Sequence, residues 1–124
     1  MSDAVDAEFF ARLSQLNDKF AAGLPATLGR LAALRQAIDP ARPAEDQVAD
    51  MHAILHTLAG SAGTFGFRVL GQQARALEQR LRVFTTFDAV LPADWEAWLA
   101  ELDVFVAWGL LDPKAAYPDD ESAV

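Results

Sequence analysis

Apolar residues recur along this chain at the three- and four-residue spacing of amphipathic helices, in four separate stretches. In the first, Phe9, Phe10, Leu13 and Leu16 lead an apolar face that Leu28, Leu31 and Leu34 continue, which predicts a helix from about Asp6 to Ile38. Pro25 lies inside that helix. Proline has no N–H to donate and its ring crowds the preceding turn, so a kink or break is expected there. Asp39-Pro40-Ala41-Arg42-Pro43 ends the stretch, because a residue before proline avoids helical backbone. Pro43 suits the first turn of a second helix, with Glu45 and Asp46 near its positive end. Met51, Leu55, Leu58, Ala62 and Phe65 form the buried stripe of that helix, and Gly66 is the expected C-terminal cap. A third helix is predicted from Phe67 to Phe84, with Val69, Leu70, Ala74, Leu77 and Leu81 inward. Thr85-Thr86-Phe87-Asp88 reads as a loop. The fourth runs from Pro92 to about Leu110 on Trp95, Trp98, Leu99, Leu102, Phe105 and Val106, and Asp112-Pro113 stops it.

No stretch alternates with the period of a strand. Short connections favour antiparallel neighbours, so the fold class is all-α: an up-down four-helix bundle with an additional or kinked N-terminal helical segment. Residues 1–112 are assigned to the bundle and 113–124 to an acidic, proline-containing tail expected to be disordered.

Composition narrows the functional classes. A chain of 124 residues that is 52% hydrophobic makes one domain with a real core. No apolar run approaches the roughly 18 residues of a membrane span, and Met1-Ser2-Asp3-Ala4 carries no basic signal region. The absence of cysteine excludes disulfides and thiolate metal sites. These features fit a cytoplasmic protein. A net charge of −8 and a pI near 4.5 disfavour nucleic acid and anionic membranes, both of which select cations. A protein partner remains. Trp95, Trp98 and Trp108 read as core or bundle-end residues.

One segment stands apart. His56 is followed by Gly60, Gly63 and Gly66 in a strongly helical stretch, although a helical glycine costs about 1 kcal/mol relative to alanine. At roughly 100° per residue, Gly60 and Gly63 fall within about 40° of His56, and the apolar stripe points about 140° away. His56 is therefore expected on the surface, on a face stripped of side chains where a bulky partner can reach the ring. His52 lies one turn earlier on nearly the same face. Two histidines at that spacing bind zinc in some helices, but the glutamate and third ligand of such motifs are missing, so no metal is expected and His52 reads as a rim residue.

The pattern H-x-L-x-G-S-A-G-x-x-G, followed by Leu70, Leu77 and Glu78, resembles the histidine-containing phosphotransfer (HPt) domain family. The resemblance is densest from Met51 to Arg82 and extends more weakly over the four-helix layout. It implies that His56 is a phosphoacceptor, taking a phosphoryl group from an aspartate on a response regulator receiver domain, or from a hybrid histidine kinase, and passing it on. It further implies a monomeric phosphocarrier without a nucleotide site or cofactor of its own, the Mg2+ being held by the receiver. No Walker-type glycine loop is present, in keeping with that division. The chain departs from the family at Ala59, where a lysine near the phosphoryl oxygens is usual.

Two supporting residues follow from geometry. A hairpin turning at Gly66-Phe67 with equal rise along both helices puts residue 78 level with residue 56, so Glu78 is a candidate to accept a hydrogen bond from the imidazole. The family commonly has a polar side chain there, often an amide. Arg82, one turn on, resembles a basic residue of relatives and is a candidate to offset phosphate charge in place of the lysine that Ala59 lacks. Arg68, Arg75 and Arg82 recur every seven residues as a basic stripe suited to steering an acidic partner, with Gln72 and Gln79 near the same edge. The expected partner face comprises His52, Ala59, Gly60, Gly63, Arg75 and Gln79. Two alternatives share this pattern. One is an HPt-like module that binds a receiver or kinase without transferring. The other is a dimerising kinase-type phosphotransfer domain, disfavoured because Thr57 follows the histidine where those proteins have an acidic residue.

Overall fold

The computed structural model describes residues 2–86 and 90–114. They form four helices and no strand: α1 (Ser2–Ala37), α2 (Glu45–Ser61), α3 (Arg68–Thr86) and α4 (Pro92–Leu111). Each helix packs against its neighbours in a closed ring, α1 on α2 and α4, α3 on α2 and α4. This is the expected up-down bundle. Its core takes in much of the stripes read from the pattern, Leu28 and Leu31 of α1, Met51, Leu55 and Leu58 of α2, Leu70, Ala74 and Leu81 of α3, and Trp98, Leu99 and Leu102 of α4, and adds Leu24 of α1. Trp98 fills the centre and donates its indole N–H to the Leu77 carbonyl at 3.1 Å, which satisfies a buried polar atom and ties α4 to α3. Trp95 and Trp108 are buried as well.

Several boundaries differ from the sequence reading. α1 begins at Ser2, earlier than expected, and runs through Pro25 without a break. Pro25 and Ala21 are both exposed, so the carbonyl that loses its partner reaches water, while buried Leu24 and Leu28 clamp the helix on either side. Phe9, Phe10 and Leu16 do not lead a buried face; they are 53%, 64% and 50% exposed. The reason is length. At 36 residues α1 is about 54 Å long, whereas its partners of 17, 19 and 20 residues span about 26–30 Å, so its first half projects past the bundle.

α2 begins at Glu45 with Ala44 as N-cap, so Pro43 lies before the helix rather than in its first turn. α2 ends at Ser61 instead of Phe65, with Ala62 as C-cap in helical backbone. Residues 62–66 form a turn in which the Phe67 N–H donates to the Ala62 carbonyl at 2.8 Å. Gly66 therefore does not cap α2. At φ +92° it takes the left-handed backbone that closes the turn. Phe67 is buried before α3 begins, and with Phe65 it sandwiches Phe20 of α1. Thr85 and Thr86 lie in α3 rather than in a loop, and both hydroxyls donate to the Arg82 carbonyl, at 2.9 and 2.8 Å, while Phe87 and Asp88 of the expected loop lie outside the described residues. α4 opens on Pro92, with the Asp94 carboxylate accepting from the Leu91 N–H at 3.1 Å. The tail expected to be disordered falls outside the described residues from position 115 on.

Candidate functional site

The site lies across the α2–α3 hairpin, on the outer face of the bundle. α2 turns Met51, Leu55 and Leu58 into the core, and this rotation carries His56 outward, with its side chain 70% exposed. α3 packs against α2 with Gly71 at the contact. A Cβ on Gly71 would lie 3.3 Å from the Gly63 backbone nitrogen and 3.4 Å from the Ala62 Cβ. That close approach brings the next turns of α3 to the histidines.

Glu78 sits under the imidazoles, its side chain only 5% exposed. One oxygen, Oε1, receives three neighbours. The Arg82 Nη2 donates to it at 2.6 Å, the His52 Nε2 lies 3.0 Å away and the His56 Nδ1 lies 3.5 Å away. Burial would by itself raise the Glu78 pKa. The hydrogen bond and charge of Arg82, then the imidazoles of His56 and His52, outweigh it and hold the carboxyl below its usual value. The helical register thus puts residue 78 beside residue 56, as expected from equal rise along a hairpin, and adds His52 to the same carboxylate. The two imidazole rings lie nearly parallel, with centroids 6.1 Å apart.

Sequence reasoning placed His52 on a rim. The structure places it half-buried against Glu78, nearer to that carboxylate than His56 is. The signal was present in the spacing: a side chain level with His56 on a neighbouring helix also reaches one turn along.

A shallow cavity of about 160 Å³ opens beside the exposed imidazole, lined by His56, Ala59, Gly60, Arg75, Glu78, Gln79 and Arg82. Arg75 reaches across from α3 and donates through Nη2 to the Ala59 carbonyl at 3.2 Å. Among the described residues no carboxylate neutralises it, whereas Arg82 is paired with Glu78 and Arg80, elsewhere on α3, with Glu101. A Cβ added to Gly60 or Gly63 would meet nothing within 4 Å, so both mark open surface. Gly60 is helical; Gly63 lies in the turn after α2 and adds no helical cost, contrary to the sequence reading. Arg68 is exposed at the start of α3, and the Arg68, Arg75 and Arg82 stripe faces solvent as its period required. On the far side of His52 and Arg82, a groove of about 690 Å³ runs between the start of α2 and the end of α3, floored by Val48, Phe84 and Trp95.

Fold and site together define a class: a four-helix bundle presenting one exposed histidine, its ring backed by a buried carboxylate and flanked by arginines. A family model described as the Hpt domain matches residues 8–108, most of the chain, and the chain belongs to that family. Hpt domains are helical bundles that serve histidine phosphotransfer in phosphorelays. No curated protein and no solved structure matches the chain.

Proposed function

We propose that this Hpt domain is a phosphocarrier that accepts a phosphoryl group on His56 from a receiver-domain aspartate, or from a histidine kinase, and passes it on. The observation that carries the reading is the His56 ring, open to solvent on one edge and turned by Nδ1 toward the buried Glu78 carboxylate. A carboxylate at Nδ1 favours the tautomer with the proton there, which leaves the Nε2 lone pair free to attack. In the transfer, Nε2 forms a bond to phosphorus as the bond to the aspartyl oxygen breaks. The bonding pair leaves with that oxygen, restoring the donor's carboxylate. The resulting imidazolium keeps its Nδ1 proton against Glu78, which stabilises the positive ring. Arg82 holds Glu78 ionised and adds positive charge beside the phosphoryl oxygens. The donor receiver supplies Mg2+, and this chain supplies the nucleophile and a docking face of His52, Ala59, Gly60, Gly63, Arg75 and Gln79.

Incubation with phosphorylated receiver domains tests this. Acid-labile label on the wild type and none on His56→Ala is the expected result, and the fastest donor identifies the partner. A second reading, a module that binds a receiver or kinase without transferring, is favoured by Ala59 and by the shorter distance from Glu78 to His52 than to His56. Retained binding to a receiver without label would establish it.

A further inference from the structure

Within the cavity beside His56 the two arginines are not equivalent. The Arg82 guanidinium is committed to Glu78 at 2.6 Å, so part of its charge is already balanced. Arg75 is anchored through Nη2 to a neutral carbonyl, that of Ala59, at 3.2 Å. A guanidinium has five N–H donors, and among the described residues Arg75 uses them in one bond, so the rest of its fork is kept for a second acceptor. The anchor also fixes the side chain over α2, beside the exposed imidazole, and the small Ala59 side chain leaves that space open. The cavity of about 160 Å³ is far larger than a single water needs and has room for a tetrahedral phosphoryl group.

We infer that Arg75, poised on the Ala59 carbonyl, is a phosphate-binding residue that contacts the phosphoryl oxygens on His56 and supplies the unbalanced positive charge of the site. The assignment rests on the phosphocarrier reading. It gives Arg75 a role distinct from the partner contact expected of an exposed stripe. Phosphoryl oxygens and a guanidinium match in geometry and charge, and such pairs are commonly bidentate.

The charge has a direct signature. A cation beside the phosphoryl group favours its dianion over its monoanion, so removing the cation raises the pH at which that group titrates. The purified chain is phosphorylated with phosphoramidate, whose P–N bond breaks with loss of ammonia as the bond to His56 Nε2 forms. The phosphoryl titration is then followed by 31P NMR. In Arg75→Ala the midpoint is expected to rise by about half a pH unit or more. Arg75→Lys should move it less, and Ala59→Lys in the Arg75→Ala background should bring it back. A titration in Arg75→Ala that superimposes on the wild type overturns the inference, as does a shift that neither lysine reverses. Absence of phosphohistidine on the wild type overturns the phosphocarrier reading itself. Normal labelling of His56 with an unmoved titration removes Arg75 alone.

Discussion

At the scale of single residues, Glu78 links folding stability to pH. Its carboxyl is held below its ordinary value because Arg82, His56 and His52 together outweigh the cost of burial. A group whose folded pKa is depressed contributes stability that is present above the unfolded pKa, about 4.3 for glutamate, and lost as pH falls toward the folded value. Glu78→Gln should therefore flatten the acid limb of the stability curve below about pH 5, as read by urea unfolding at a series of pH values. An acid limb identical to the wild type's would refute the depression. The same variant keeps an acceptor for Nδ1 but loses the charge, so phosphotransfer should slow rather than stop. Gly60 carries the opposite trade. Its Cβ would meet nothing, so Gly60→Ala should stabilise α2 by up to about 1 kcal/mol. The added methyl lies on the proposed docking face, so transfer from a receiver that docks there should slow. A gain in stability without loss of rate would mean that the partner does not cover Gly60. Ala59→Lys should lengthen the lifetime of phosphorylated His56 several-fold by adding a cation, measured as loss of label after the donor is removed; an unchanged lifetime would mean that the arginines already supply the needed charge.

At the scale of elements, the α2–α3 hairpin carries the candidate site. Its alignment depends on Gly71, where the neighbour of an added Cβ is the Gly63 backbone at 3.3 Å and cannot swing aside. Gly71→Ala must push the helices apart by a few tenths of an ångström. The overpacking cost of about 1–3 kcal/mol exceeds the roughly 1 kcal/mol gained in helix propensity. A net loss of about 1 kcal/mol is expected in chemical denaturation, with slower phosphotransfer because Glu78 moves relative to His56. Unchanged stability and rate would show that the hairpin tolerates the spread. Gly71 was missed in the sequence because its reason lies across the hairpin at Ala62 and Gly63, whereas Gly60 was found by its position around His56 on α2, and Gly63 by the same count although it lies in the turn beyond that helix.

At the scale of the molecule, a ring of four helices closes the core, and the first half of α1 stands outside it with Phe9, Phe10 and Leu16 exposed. We expect a monomer, since the bundle needs no second chain to bury its stripes. Sedimentation equilibrium should return the mass of one chain, 13.4 kDa. A dimer that reverts on replacing Phe9 and Phe10 with serine would place association on the projecting helix, where contiguous apolar surface is exposed. The site residues are on α2 and α3 and in the turn between them, and the exposed phenylalanines are on α1, so the two properties are separable by mutation.

The helices, the buried stripes of α2, α3 and α4, the outward direction of His56 and the level of Glu78 were legible in the sequence. Each follows from local periodicity or from the constant rise of two helices joined by a short turn, which depend on few residues at a time. Helix ends were read less well: Gly66 marked a turn five residues after the last residue of α2, Ser61, because the same glycine signal serves a cap and a tight turn. Periodicity also called for a buried Phe9, Phe10 and Leu16, yet burial needs a facing surface, and the shorter partners of α1 provide none. Only the tertiary structure decided that His52 shares the Glu78 carboxylate and that Arg75 rests on the Ala59 carbonyl. Those contacts depend on the separation and rotation of two helices to within an ångström or so, set by the packing at Gly71, and no pattern along a single helix encodes them.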